Sequence, residues 1–360
     1  MKPIKIAMMT INHGHARGYI NELKQNPNFE WVAVSILPQY KDRVFREFLP
    51  DIPQYYSDIE MLDAHPEIQA VVIASANYLH YEQVKLCAER GIHVYSMKVP
   101  TFDMEQYDGM IRLTEENHVA CQIELELRQS ASVKRLKALY EAGAIGKLLS
   151  LNAVNLSHCP VWWLPWHGIP EQSYGKKIPL RDGDSRYRGG ALSDHPHIFD
   201  IARYITGSEF DSVFAEVAPN LRAELPEEDM LTIVGKMKDG TIVSLDPSFA
   251  RNENHMEVIG AGWELDPKRV EVTIVLNGEK GTIMADCFHP NVYHTGLPNH
   301  RFTIRYGDNN TNDRMLMMNE FADCIRNGKT PNVNLRSHKK TIEAMNACYD
   351  SITQGAPVKL

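Results

Sequence analysis

Apolar positions in the first third of the chain fall in short, nearly unbroken runs, each followed by an amphipathic stretch. "IKIAMM" at residues 4–9 and "AVVIASA" at 70–76 have strand length and aliphatic character, the pattern of strands covered on both faces. Between them, 14–23 reads as a helix and "EWVAVSIL" at 30–37 as a second strand. Ser57 with Glu60 has the spacing of a capping box and opens a short helix. A further helix is closed by Gly91, and "GIHVYSM" returns as a strand. This βαβαβ order predicts a parallel, doubly wound sheet with right-handed crossovers. Ligands of such sheets bind beyond the carboxyl ends of the strands, which places residues 10–15, 75–80 and 97–100 around one crevice.

The pattern changes after about residue 124. "KLLSLNAVNL", "DSVFAEVA", "LTIVGKMKDGTIVSLDPSFA", "VEVTIVLNGEKGTIMAD" and "RFTIRYG" are longer strand-like runs, with Asp239-Gly240 and Asn277-Gly278 as hairpin turns. One helix is expected over 193–205, and helices from about residue 313 close the chain. The expected fold class is α/β, in two domains. Residues 1–123 form a Rossmann-like doubly wound parallel sheet that binds a dinucleotide. Residues 124–360 form an α/β domain on a mainly antiparallel sheet with helices on one side, its last helices packing back on the first domain.

Composition narrows the function by exclusion. The chain is 43% hydrophobic and 23% charged, ordinary for a globular protein. A net charge of -8 with scattered basic residues argues against a nucleic-acid surface and leaves a small-molecule ligand. No run approaches the roughly 20 apolar residues of a membrane helix. "MKPIKIAMM" enters a strand with no cleavage-site pattern, so the cytoplasm is the expected location. The six cysteines, at 87, 121, 159, 287, 324 and 348, lack any CxxC spacing and read as buried thiols.

Taken together, "VVIASANYLHYEQVKLCAERGIHVYSMKVP", "EAGAIGKLLSLNAV", "GGALSDHPHIFDIARYITG" and the segment from "FADCIRNGKT" onward resemble the Gfo/Idh/MocA oxidoreductases over nearly the whole chain. The resemblance implies an Asn-x-x-His turn, a Glu-Lys-Pro strand, an entry to the second domain, a catalytic helix and a C-terminal segment, in that order. It also implies NAD as cofactor, with NADP open, and a carbohydrate or glycoside substrate. The second sheet is implied to be large and open, serving substrate binding and forming a homo-oligomer through its open face. This chain departs from the pattern at its first turn, where the usual Gly-x-Gly becomes Thr10 and Asn12, followed by His13, Gly14 and His15. Asparagine tolerates left-handed angles and Gly14 adds freedom, so a phosphate-facing turn is expected to survive. The ribose-binding acid is missing: Ile36 stands near its place, with Lys41 and Arg43 beyond.

Oxidation of a secondary alcohol needs a group to take the hydroxyl proton and a fixed carbinol carbon facing the nicotinamide. In the resembling family a lysine does much of this, and "SMKVP" keeps it as Lys98, with Met97 replacing the glutamate. His197 falls on the family histidine through the "HxxDxAR" spacing, and Asp194 lies three positions before it, on the same helical face. The expected catalytic set is therefore Lys98, Asp194 and His197. Cofactor neighbours are expected at Thr10, Asn12, His13, Gly14, His15, Ser75, Asn77, His80, Met97 and Lys98. Substrate contacts are expected at Glu124, Arg128, Trp163, Trp166, Tyr187 and His195. The tryptophans sit in a long irregular segment, a candidate substrate lid, and a keto-glycoside is an attractive product.

A second reading dispenses with redox chemistry. His13, His15, Glu124, Glu126, His158, His167, Asp194, His195 and His197 are potential metal ligands, and a divalent ion polarising a carbonyl would support an isomerase, lyase or hydratase. Neither "HGH" nor "HPH" is a zinc signature by itself, and no metal is expected.

Overall fold

The aliphatic runs of the first third become strands of one parallel sheet. A computed structural model of the chain describes residues 2–11, 15–38, 49–157, 176–223, 225–249, 271–287, 291–296, 300–305 and 310–360. In it β1 (Ile4–Met9), β2 (Phe29–Ser35), β3 (Gln54–Tyr55), β4 (Ala70–Ile73), β5 (His93–Ser96) and β6 (Cys121–Ile123) lie in the order β3-β2-β1-β4-β5-β6. Among the described residues the pairings of this sheet are parallel throughout. β4 is buried along its whole length, which is why its sequence shows no polar alternation.

The crossovers carry α1 (Ala16–Gln25), α2 (Asp58–Ala64), α3 (His80–Ala88) and α4 (Met104–Glu116). Ser57 caps α2 by accepting the Glu60 N–H at 3.3 Å. Beyond α3 the chain turns at Gly91 with φ of 69°, an angle glycine adopts without steric cost. The order 3-2-1-4-5-6 puts the switch point between β1 and β4, where such sheets bind nucleotides.

The second sheet has nine strands, in the order β16-β15-β14-β13-β7-β12-β11-β10-β17. These are β7 (Leu148–Leu156), β10 (Phe210–Val217), β11 (Leu231–Met237), β12 (Ile242–Asp246), β13 (Glu271–Gly278), β14 (Gly281–Asp286), β15 (Asn291–Gly296), β16 (His300–Arg305) and β17 (Val358–Lys359). Only β7 with β12 pairs in parallel among the described strands; the rest are antiparallel. Two short strands, β8 (Lys177–Pro179) and β9 (Ser185–Tyr187), form a separate ribbon. One face of the large sheet is buried through Val213, Ile233, Leu245, Ala153, Ile274, Ile283 and Val292.

Two local expectations change. Gly278 pairs with Gly281, so the β13–β14 turn is Glu279-Lys280 and not Asn277-Gly278. A Cβ on Gly278 would lie 2.3 Å from the Ile145 carbonyl oxygen, so this glycine answers a close backbone approach instead of a turn. The single helix expected over 193–205 is two: α6 (Ala191–Asp194) and α7 (His197–Thr206). Pro196 lacks the N–H that would continue the hydrogen-bond ladder.

By its contacts the chain divides into two compact units. The first comprises 1–124, 162–174 and 314–339, the second 125–161, 175–313 and 340–360. The first contains most of α8 (Asn310–Asn327), and the second most of α9 (Leu335–Gln354) and all of α5 (Ala131–Glu141). The described cysteines are free and buried. No described helix is long and apolar enough to cross a membrane.

Candidate active site

In the first unit the site is assembled at the carboxyl ends of parallel strands. Thr10 follows β1 with φ of 47°, the left-handed region that suits glycine and is uncommon for a β-branched residue. The position thus keeps a glycine conformation while carrying a side chain. Its N–H donates to the Ser35 carbonyl at 3.0 Å. Its hydroxyl is buried and has no hydrogen-bond partner among the described residues.

His15 caps α1. Its Nδ1 lies 2.9 Å from Oε1 of Glu124, the residue after β6. Tyr19 Oη donates to the same oxygen at 2.9 Å and lies 2.9 Å from Tyr95 Oη. Burial alone would raise the Glu124 carboxyl, but His15, Arg314 and Lys98 outweigh it and hold the group below the usual carboxylate range. Lys98, beyond β5, is 1% exposed, and its neighbour Met97 is fully buried. A buried lysine within electrostatic range of an ionised carboxylate is what holds such a side chain in an interior position.

Beneath the β2 and β4 ends runs a second polar chain. Ser75 Oγ donates to Gln83 Oε1 at 2.5 Å, Gln83 Nε2 donates to Asp58 at 2.7 Å, and Ser35 Oγ donates to the other Asp58 oxygen. Burial pushes the Asp58 carboxyl up, while Gln83 and Ser35 pull it back. His80 is fully buried, with Nδ1 3.1 Å from the Pro100 carbonyl and Nε2 3.1 Å from the Ser75 carbonyl. Burial lowers the His80 pKa to about 4 and keeps the ring neutral, so one N–H donates to a backbone oxygen and the ring links two strand-end loops. Asn77, in a turn of 3₁₀ helix, is buried nearby in sequence. Asn12, His13, Gly14, Trp163 and Trp166 lie outside the described residues.

In the second unit α6 and α7 present Asp194, His195 and His197. Asp194 is half-buried and His197 is 6% exposed. His195 is 3% exposed. Its Nδ1 faces the Ala191 and Pro247 carbonyls at 2.8 and 3.1 Å, its Nε2 lies 3.0 Å from Ser157 Oγ, and its ring meets Phe249 edge-on. It therefore braces α6 instead of offering a nitrogen to substrate. Arg128 likewise forms a bidentate pair with Asp200 of α7 at 2.5 and 2.6 Å and stacks on Tyr204. That engagement assigns it to holding the helix. Tyr187, in β9, lies under the Lys177 ammonium.

Sequence reasoning missed Tyr19, Asp58, Gln83 and Glu228. The first three occupy ordinary helix positions with no spacing signal. Glu228 stands in an acidic run just before β11, and that run was the one available hint. Among the described residues no three His, Cys, Asp or Glu side chains gather as a metal site. His15, one of the potential ligands, is turned onto Glu124.

The NAD-binding Rossmann fold of the Gfo/Idh/MocA oxidoreductases matches residues 10–125, and the C-terminal domain of the same family matches 133–284. Myo-inositol 2-dehydrogenase of Thermotoga maritima is 28% identical over 257 residues, covering 69% of this chain and 71% of that protein. Levoglucosan dehydrogenase of Pseudarthrobacter phenanthrenivorans is 29% identical over 160 residues, 44% of this chain and 38% of its own. Among solved structures, an oxidoreductase from Agrobacterium radiobacter in complex with NAD+, L-tartaric acid and magnesium superposes with a TM-score of 0.79 at 19% identity. That match covers 99% of this chain and 98% of the other, a likeness of fold.

Proposed function

The chain belongs to the Gfo/Idh/MocA family of NAD-dependent oxidoreductases, and from that premise we propose that it oxidises a ring secondary hydroxyl of a sugar, glycoside or cyclitol. The observation that carries this reading is a buried Lys98 after β5, beside the ionised Glu124, inside the unit that matches the NAD-binding fold. The inositol and levoglucosan dehydrogenases among its relatives support the substrate class.

The residues present fit the dinucleotide. Thr10 already holds the backbone angle a glycine would take, and its buried hydroxyl is available to a phosphate or ribose oxygen. The N-terminus of α1 supplies the dipole that favours a pyrophosphate. When bound, NAD accepts the hydride. Lys98, as the neutral amine, takes the hydroxyl proton, and the Glu124 carboxylate compensates the ammonium that this forms. Asp194 and His197 orient substrate hydroxyls, with His195 and Arg128 holding the helices that carry them. We place the enzyme in the cytoplasm, with residues 1–123 as the dinucleotide domain and 124–360 as the substrate and oligomerisation domain.

We also propose a homo-oligomer through the second sheet. Reading the register across the strands, Phe214, Val234, Ser244, Asn152, Val275, Met284 and Tyr293 form one continuous row. None of these is buried, and Val234 is 48% and Tyr293 40% exposed. A mostly apolar row of this length on an open sheet face suits a second copy of the chain.

The test is direct. Protein incubated with NAD or NADP and freed of excess ligand should release NAD in near-stoichiometric amount on denaturation, read by mass spectrometry. Lys98→Ala should keep the nucleotide and lose turnover on polyols. Release of no nucleotide, or full turnover by the lysine variant, overturns the reading.

A further inference from the structure

The loop before β11 contains a carboxylate that the catalytic reading leaves without a role. Glu228 is fully buried, and its two oxygens are aimed at the start of α6. Oε2 accepts the Gly190 N–H at 3.1 Å, and Oε1 accepts the Leu192 N–H at 3.2 Å and the Tyr349 hydroxyl at 2.9 Å. Tyr349 Oη in turn accepts the Gly189 N–H at 2.9 Å, while the Glu228 carbonyl accepts the Ala191 N–H at 2.9 Å. Four successive amides, from Gly189 to Leu192, are thus gathered by one glutamate and the tyrosine attached to it. The approach is too close for any side chain: a Cβ on Gly190 would lie 1.9 Å from the Glu228 carbonyl oxygen. Two residues beyond Leu192 is Asp194.

We infer that Glu228 is a positioning residue, whose ionised carboxylate fixes α6 so that Asp194 is presented to a substrate hydroxyl in one orientation. The inference rests on the reading of Asp194 as a substrate-orienting residue. A helix of four residues cannot hold its own place through intrahelical bonds. Its orientation must come from outside, and charge-assisted bonds from a buried carboxylate are about twice as strong as neutral ones. Arg128 and His195 secure the structure downstream, but nothing else described gathers these amides.

The same geometry makes the device sensitive to pH. Burial pushes the Glu228 carboxyl up to about 7, against the Gly190 amide, its own amide, the Tyr349 hydroxyl and the Leu192 amide, which pull it down. The charged groups around it are already engaged. On the same loop, Asp229 accepts the Leu221 and Arg222 N–H groups and sits 3.8 Å from the Arg222 guanidinium. Glu227 is its buried neighbour. From the turn after β9, Arg188 lies over the ring of Tyr349 and pairs with Asp350, both on α9. From α6 and its end come Asp194 and His195. As pH falls through about 7 the proton goes onto Glu228, one acceptor is lost to the amides, and α6 is released.

Steady-state kinetics from pH 5.5 to 9 on purified enzyme test this, with NAD and a panel of sugars and cyclitols that includes myo-inositol and levoglucosan. Glu228→Gln reproduces the uncharged side chain at every pH. It should lower kcat/KM at pH 8 by about tenfold or more, the scale of a small misplacement, and remove the wild-type fall near pH 7, with the NAD dissociation constant unchanged. Tyr349→Phe, a milder change, deprives the carboxylate of a donor and should move that fall to higher pH. A wild-type pH profile in both variants overturns the inference. The catalytic reading fails separately: if Asp194→Asn retains full activity, the premise about Asp194 is wrong, whatever Glu228 does.

Discussion

At the scale of single residues, Thr10 concentrates the difference between this chain and its family. A threonine at φ of 47° carries strain on the order of 1–2 kcal/mol that glycine would not. On the proposed reading its hydroxyl, buried and with no described partner, offers a hydrogen bond to a nucleotide oxygen. Thr10→Val keeps the branched shape and removes that oxygen. It should weaken NAD binding about tenfold, the worth of one hydrogen bond to a charged group, with the melting temperature unchanged. Isothermal titration beside thermal melts would check it, and equal affinity would assign the hydroxyl to packing alone. Lys98, beyond β5 two strands away, needs no such adjustment, because Glu124 compensates its burial.

Among the elements, the broken helix α6–α7 governs how the second unit presents its polar side chains. Pro196 divides it, and the two pieces are then secured by different means: α6 by Glu228 and His195, α7 by the bidentate Arg128–Asp200 pair. The motif spacing singles out His197, and the Ser157, Ala191 and Pro247 partners of His195 give that residue a structural part. His195→Ala strips bonds from Ser157 and the Ala191 and Pro247 carbonyls and should cost about 2 kcal/mol of stability, visible as a lower urea midpoint. His197→Ala should instead lower kcat more than His195→Ala does, with a smaller loss of stability. The opposite kinetic order would mean that His195 is the group acting on substrate.

For the whole molecule the open question is what covers the second sheet. The row from Phe214 to Tyr293 runs across seven paired strands and ends in exposed aromatic and aliphatic side chains. Ile242, at 46% exposure, adds to it one register step away. Light scattering should give a mass of at least twice 41.0 kDa. The double change Val234→Glu with Ile242→Glu places like charges on adjacent strands of that face and should yield monomers that still bind NAD. A wild-type monomer would remove the oligomer from the account.

Local pattern alone was enough for the order of strands and helices and for a two-part architecture, since both depend on periodicity within a few residues, which the chain displays directly. Ser57 as a cap and the β11–β12 turn at Gly240 were legible for the same reason. Lys98, Asp194 and His197 were singled out only through the family resemblance. Other features could not be read this way. His15 on Glu124 joins positions 109 apart in sequence, Tyr349 on Glu228 joins positions 121 apart, and Gly278 is a glycine because Ile145 lies against it. Such contacts exist only once strand ends converge, since a buried carboxylate or a close backbone approach is defined by what the fold brings beside it. The sequence by itself therefore determined which groups could do the chemistry. The tertiary structure decided which of them are held in reserve as braces, because burial and partner, not residue type, set whether a side chain can reach a ligand.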